Sequence, residues 1–308
     1  MTTFSTTHDI TTLGAQFIPS IEGDLTFRND GVIYGHNGPW YWAVMDPLRH
    51  PLFVWARTGT ANYDASAKAL GAVSFSNGCM MGKYTPAKMV SLFVTSVVLS
   101  AVIAGMVGGF WGGLVGAVAA GITAYFLLTR DWKPLGPVYG RHNGIDDRGV
   151  SNPDPWLAVM GRKSRDPLEQ TPISDYVMRM GTNDSGLDEA SGGMIPLIQN
   201  SAVFSATVGT ANYNPAFADI TKPTISGIVA WGWIYPPVGE GELIAIGSDR
   251  TGVSAALPGI LASIGVRDAA AMDGNNSVLL GEHAEAWFEP GDMKERIEHY
   301  GFYCGTHK

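Results

Sequence analysis

An α+β fold, a mixed sheet with short helices interrupted by an inserted apolar helical hairpin, is predicted by three features of the sequence. First, outside residues 89–129 the chain is a succession of short apolar and aromatic runs bounded by turn residues, with 39 Gly and 18 Pro in 308 residues, the pattern of strands joined by turns. Second, Met89–Thr129 contains no charged residue between Lys88 and Arg130. A membrane-spanning helix needs about 20 apolar residues, so this length suffices for two passes. Gly-Gly-Phe-Trp-Gly-Gly at 108–113 lies where they would turn, giving helices Met89–Val107 and Leu114–Thr129. Third, Lys68–Gly78 (KALGAVSFSNG) and Ala262–Gly274 (ASIGVRDAAAMDG) share one plan: helix, Gly, short strand, then Asn-Gly or Asp-Gly. That plan presents Asn77 and Asp273 as two polar tips at strand ends. The resulting organisation is 1–88 and 130–290 as the two parts of one domain, 89–129 as the insertion, and 291–308 as a peripheral tail.

In chain order, Asp24–Phe27 and Gly31–Tyr34 are the first strand candidates, followed by Pro39–Met45 (PWYWAVM) and Pro51–Ala56 (PLFVWA). Asp64–Leu70 is Ala-rich and helical with Asp64 near its start, Gly71 closes it, and Ala72–Ser76 is a strand running into the Asn77-Gly78 turn. After the insertion come turn clusters at Arg141–Gly149 and Ser151–Pro155, then a strand at Pro155–Met160 and a Gly-led apolar segment at Ser191–Asn200. Thr224–Tyr235 and Glu242–Ser248 read as adjacent strands. Ser254–Ile264 is a helix, Ala269–Met272 and Ser277–Leu280 are strands, and Asp292–Tyr300 is a charged helix. Short echoes recur: GTANY at 59–63 and 209–213, YGHNG at 34–38 against YGRHNG at 139–144, PWYWAVM against PWLAVM.

The net charge of −8 and the lack of a Lys/Arg cluster with interleaved aromatics argue against nucleic acid as a partner. Cys79 and Cys304 read as two buried thiols. The N-terminal MTTFSTTHDITTLGAQF lacks the basic start and apolar core of a secretory signal. No HExxH, GxSxG, P-loop or dinucleotide fingerprint occurs. Asn183–Glu189 (NDSGLDE) departs from calcium-loop spacing and reads as a solvated loop. Trp40, Trp42, Trp55, Trp231 and Trp233 alternate along strands, which favours packing over sugar stacking.

Three blocks then resemble the phosphodiester glycosidases, the family of the uncovering enzyme that removes N-acetylglucosamine from mannose phosphate. Asp64–Gly78 is similar to the family's helix and strand ending in asparagine-glycine. Gly192–Ala202 (GGMIPLIQNSA) is similar to its glycine-glycine-proline-leucine segment. Glu242–Leu280 is similar to its long block ending in aspartate, glycines and serine. The resemblance implies a phosphodiester-glycosidase-like mixed sheet, with Asp273 and Asn77 as catalytic residues and Gly78, Gly274, Asn275, Asn276, Ser277 and Arg250 as substrate-binding residues. A carboxylate there would act as base or stabilise positive charge at the anomeric carbon. Turn amides with Asn and Ser side chains would hold phosphate oxygens. No cofactor is implied, and the metal question stays open. Two departures stand out. Asn275-Asn276 replaces a glycine run, and Ser226–Gly232 (SGIVAWG) lacks the arginine that usually precedes that strand, so that Arg250 is the nearest downstream cation.

For 89–129 the alternatives are lipid and burial in the channel of an oligomer. Gly105, Gly109 and Gly113, and likewise Gly112 and Gly116, are spaced by four, which suits close helix contact in lipid. Lys83 and Lys88 before the stretch and Arg130 and Lys133 after it are all basic. Family-like blocks on both sides require one compartment for both flanks, which a hairpin satisfies. The expectation is therefore a glycan-phosphodiester-binding or -cleaving protein of an assembly that engages a cell envelope, a phage tail tip most specifically. Its partners would be a cell-surface glycan phosphodiester, membrane lipid and other copies or tail subunits, with the virion tail as location. The alternatives are a membrane-anchored phosphodiester glycosidase and a non-enzymatic structural subunit.

Overall fold

The computed structural model describes residues 25–28, 32–58, 63–79, 81–82, 97–109, 111, 113–117, 133–147, 149, 154–163, 171–235, 241–274, 278–282, 285–288 and 298–305. These build a sheet-dominated mixed fold with few, short helices. Among the described residues one sheet has twelve strands and a second has five.

The two sheets lie face to face, and side-chain alternation decides which layer each residue joins. Val229, Trp231 and Trp233 of the Ile228–Ile234 strand point into the inter-sheet core. There they meet Val54, Leu280, Phe302 and Cys304 of the smaller sheet. Ile228, Ala230 and Ile234 point the other way, onto Phe217 and Ile220 of helix Pro215–Ile220 and Leu257 and Leu261 of helix Leu257–Ser263. Phe53, Trp55, Phe75 and Tyr303 line the far face of the small sheet, under Ala67 of helix Tyr63–Leu70. The order is helices, large sheet, small sheet, helix. Strands Ile228–Ile234 and Glu242–Ser248 are buried on both faces, which is why they read as unbroken apolar runs rather than alternating ones. Trp40, Trp42, Trp55, Trp231 and Trp233 are all buried, as core packing requires, and both cysteines are free, buried thiols.

The repeated helix–Gly–strand plan is formed in both copies. Helix Tyr63–Leu70 ends on Gly71 at φ +66°, whose N–H donates to Lys68 O, and strand Ala72–Ser76 follows. Helix Leu257–Ser263 ends on Gly265 at φ +80°, bonded to Ala262 O, and strand Val266–Ala271 follows. Glycine fits there because a left-handed residue closes the helix without a Cβ clash.

Three expectations are corrected. Of the helix expected at Asp292–Tyr300 in a peripheral tail, residues 292–297 lie outside the described residues, while Glu298–Tyr300 open the strand Glu298–Gly305, an inner strand of the five-stranded sheet. It lies between Leu52–Thr58 and Ala72–Ser76, with Phe302 and Cys304 fully buried. Pairing on both edges outweighs the local helical pattern. The strand expected at Pro155–Met160 starts only at Ala158, because Asp154 turns the chain back on Trp156 and Leu157. Thr224–Ser226 precede their strand, which begins at Ile228.

Within 89–129, residues 97–109 and 113–117 are helical, and no helix among the described residues is long and apolar enough to cross a membrane. The other residues of the expected helices Met89–Val107 and Leu114–Thr129 lie outside the described residues. A Cβ added at Gly113 would lie 3.5 Å from Gly105 Cα, and one at Gly116 would lie 2.6 Å from Ala104 Cβ. Val98, Ile103, Met106, Val107, Trp111 and Val115 are exposed.

A buried carboxylate at the sheet's other end carries a pH prediction. Glu242 is pushed up to about 7, first by burial and then by the neighbouring Asp46 carboxylate. Among the described residues its Oε2 has no hydrogen-bond partner. A carboxyl group raised in the folded state contributes stability that is present below its unfolded value of about 4.5 and lost as the pH rises through about 7. Glu242→Gln should therefore raise stability at pH 8 by about 1–3 kcal/mol and leave it nearly unchanged at pH 4.5. Thermal unfolding across that range checks this, and a gain independent of pH would contradict it.

Candidate functional site

The two tips predicted to carry the site come together although they end strands of different sheets. Asn77 follows Ala72–Ser76 of the small sheet, and Asp273 lies just past Val266–Ala271 of the large one. Asn77 Nδ2 donates to Asp273 O at 2.7 Å, and Asp273 N–H donates to Gly78 O at 3.0 Å. Asn77 Oδ1 accepts from Leu279 N–H at 3.1 Å, and Asn77 N–H donates to Leu279 O at 3.1 Å. Asn77 is only 1% exposed, and both ends of its amide serve main-chain groups. Ser76 extends the joint: its hydroxyl accepts from Trp231 Nε1 at 2.7 Å and donates to Asn77 O at 2.6 Å.

Gly78 needs to be glycine, since a Cβ would sit 2.8 Å from Tyr300 O. Gly274 is less tightly confined, since a Cβ there would lie 2.8 Å from Ile220 Cδ1, the movable end of a side chain, and 3.1 Å from Gly227 O. Asp273 itself is half-buried at the surface end of this joint. Arg250 is exposed, two residues beyond strand Glu242–Ser248. Because Ala271 and Ile246 both pair with Ala230, Arg250 and Asp273 leave the same end of the sheet. One strand separates them, about 10 Å at ordinary strand spacing. Asn275, Asn276 and Ser277 lie outside the described residues.

The structure brings further groups to this joint. The Cys79 thiol, next to Gly78, is pushed up to about 12 chiefly by burial; the Ser191 hydroxyl opposes this, and the Asp273 and Asp147 carboxylates add to it. It is a neutral filler, not a nucleophile. Both carboxylates lie near enough to the buried thiol to add to its shift. Asp147 is fixed by Gly149 N–H on Oδ1 at 2.8 Å and by the Tyr300 hydroxyl on Oδ2 at 2.7 Å. Its sequence setting, inside a Gly/Asp turn cluster, is indistinguishable from ordinary turn chemistry. Ser191 belongs to strand Glu189–Gln199, which carries the glycine-rich segment.

Asn183–Ser185 is a turn closed on itself, with Asn183 Oδ1 accepting from Ser185 N–H at 3.1 Å and Ser185 Oγ at 2.6 Å. Glu189, expected at the end of that solvated loop, is instead 1% exposed in a strand. Among the described residues no group of three His, Cys, Asp or Glu side chains could hold a metal ion.

Three comparisons bear on the chain. The family model described as 5TMR of 5TMR-LYT matches residues 55–136, which run from strand Leu52–Thr58 through helix Tyr63–Leu70 and the apolar stretch. No curated protein matches. Among solved structures, the chain is similar to the zebrafish N-acetylglucosamine-1-phosphodiester alpha-N-acetylglucosaminidase catalytic domain auto-inhibited by its pro-peptide. The TM-score is 0.50 at 14% identity, covering 94% of this chain and 82% of that one. It is also similar to a hypothetical protein from Synechocystis, with a TM-score of 0.41 at 12% identity, covering 92% of this chain and 61% of that one. The first likeness shows a distantly shared fold.

Proposed function

We propose that this chain binds or cleaves a glycan phosphodiester at the sheet end marked by Asp273. The observation that carries the reading is the set of hydrogen bonds joining Asn77 and Gly78 to Asp273, on a fold shared with a phosphodiester glycosidase catalytic domain. Asp273 acts as the base or stabilises positive charge at the anomeric carbon. Asp147, fixed through both oxygens, is a second carboxylate in the same neighbourhood. Gly274, Asn275, Asn276 and Ser277 cradle the phosphate, and Arg250 supplies its counter-charge. Asn77 is a positioning residue, since its amide is spent on the main chain.

Residues 89–129 contact membrane lipid in this reading. Support comes from the exposed Val98, Ile103, Met106, Val107, Trp111 and Val115, from the close approach of Gly105 to Gly113 and Ala104 to Gly116, and from the match of 55–136 to a membrane-associated family. Translocon insertion would keep both basic flanks on the cytoplasmic side, where a glycan phosphodiester is scarce, and a hairpin entering from outside removes that conflict. That suits an assembly engaging a cell envelope, such as a phage tail tip. A membrane-anchored enzyme with the same site is the nearest variant of this reading. A non-enzymatic subunit is the second reading, favoured by Asn275-Asn276 where the family has glycines.

The test is release of N-acetylglucosamine from methyl N-acetylglucosaminyl phosphate by the full chain reconstituted in vesicles. Asp273→Ala should lower turnover at least about a hundredfold, the usual scale for losing an acid–base group. Binding of the diester without turnover, lost in Asp273→Ala, supports the binding form. Equal turnover in both proteins, or neither binding nor turnover, sinks the proposal.

A further inference from the structure

At the opposite end of the large sheet, Trp156, Met180, Gln199, Phe204, Asn212 and Tyr213 line a cleft of about 370 Å³, within the ~300–1,000 Å³ range of small-molecule sites. Gln199 and Ala202 stand beside the start of strand Val266–Ala271: Ser201 N–H donates to Arg267 O at 2.8 Å, and Asn200 N–H donates to Asp268 Oδ1 at 2.8 Å. Asp273 lies past the other end of that strand, about 20 Å away at the rise of a β-strand. The cleft is therefore separate from the phosphodiester site.

We propose that this cleft binds a neutral oligosaccharide, with a pyranose ring stacked on Trp156. Trp156 is 44% exposed, whereas Trp40, Trp42, Trp55, Trp231 and Trp233 are each 6% exposed or less. A large ring left in water, beside Tyr213 at a centroid distance of 6.5 Å and 59°, offers a face for the C–H side of a sugar. The ring is held in place by its main chain. Trp156 N–H donates to Asp154 Oδ1 at 2.9 Å, and Trp156 O accepts from Asn214 Nδ2 at 2.8 Å. Asn214 in turn caps helix Pro215–Ile220 through Phe217 N–H at 3.0 Å. The facing loop is equally fixed, with Ser205 N–H donating to Asn212 O at 2.8 Å and Asn214 N–H to Ser205 O at 3.0 Å. Walls ordered before the ligand arrives lower the entropic cost of binding.

The polar groups choose the ligand. Asn212 turns its amide nitrogen to Val203 O at 3.3 Å, leaving its amide oxygen for a hydroxyl, and the Gln199 amide and Tyr213 hydroxyl border the same space. Among the described residues every lining side chain is uncharged, so the cleft offers amides and aromatic faces but no cation for a phosphate. Alternating hydroxyl edges and apolar faces, without net charge, describe a neutral sugar.

The test uses the full chain in a non-glycosidic detergent, with N-acetylchitotriose, maltotriose and cellotriose as probes and saturation-transfer NMR plus calorimetry as readouts. At least one trisaccharide should bind. Trp156→Ala should weaken it at least tenfold and Trp156→Phe only a few-fold, while Asp273→Ala leaves binding intact. Loss in Asp273→Ala instead would assign the sugar to the phosphodiester site and overturn the proposal. So would equal binding in Trp156→Ala, or no binding of all three probes, whatever the outcome of the diester assay.

Discussion

Arg162→Met is expected to destabilise the fold by about 3–5 kcal/mol, the scale for removing one partner of a buried charged network. Arg162 is 1% exposed and sits where the two sheets join. Strand Leu52–Thr58 is an edge of the small sheet, so some of its main-chain groups have no strand to pair with. Side chains from elsewhere satisfy them. Leu52 N–H donates to the Tyr176 hydroxyl at 3.1 Å and Leu52 O accepts from Arg162 Nε. Val54 N–H donates to Glu189 Oε2 at 2.8 Å and Val54 O accepts from Asn143 Nδ2 at 2.6 Å. Arg162 also donates to Thr171 Oγ1 at 2.9 Å and lies 4.7 Å over the Phe53 ring.

Removing the guanidinium strands Leu52 O and takes away the cation facing Glu189, whose carboxyl is pushed up to about 7 by burial against two main-chain donors and Arg162. With Arg162 gone, that carboxyl rises further. Its protonation relieves the loss toward low pH, so the destabilisation should be larger at pH 8 than at pH 5. Denaturant unfolding of Arg162→Met at the two pH values checks both statements. A loss below about 1 kcal/mol, or one that grows as the pH falls, would falsify this account of the joint.

This joint also shows what the sequence could not convey. Ala72–Ser76 and Glu242–Ser248 were legible to the residue because a Gly or Pro-rich turn bounds an apolar run, and that signal is local. The meeting of Asn77 with Asp273 was anticipated from two similar strand-end tips and from the family resemblance that made both of them site residues. Arg162 and Glu189 were invisible because a charged residue ordinarily reads as surface. Only the unpaired edge of a strand more than a hundred positions earlier gives them a reason to be inside. Glu298–Gly305 was missed for a similar cause, since its two sheet partners are over two hundred residues away. The Pro-Trp echo misled in another way. Trp40 begins a strand and is buried, whereas Trp156 sits in the turn made by Asp154 and is exposed. One dipeptide serves two environments, and the difference lies in the residues before it.

Asn77→Ala is the second large effect, with an expected loss of about 2–4 kcal/mol. The substitution leaves two buried main-chain groups, Leu279 N–H and Asp273 O, without their side-chain partner, each costing about 1–3 kcal/mol with incomplete additivity. Water cannot readily replace the amide, because Asn77 is 1% exposed and Gly78 is packed on Tyr300 O. Asp273→Ala removes a half-buried carboxylate but keeps the carbonyl that Asn77 holds, so its stability loss should be distinctly smaller while its effect on the diester is larger. Comparing both variants by denaturant unfolding, with hydrogen exchange at the Leu279 amide, separates the roles. Asn77→Ala should lose protection at Leu279 and Asp273→Ala should keep it. If the two behave alike, the clamp is not what aligns Asp273, and the carboxylate must be positioned by the Val266–Ala271 strand alone.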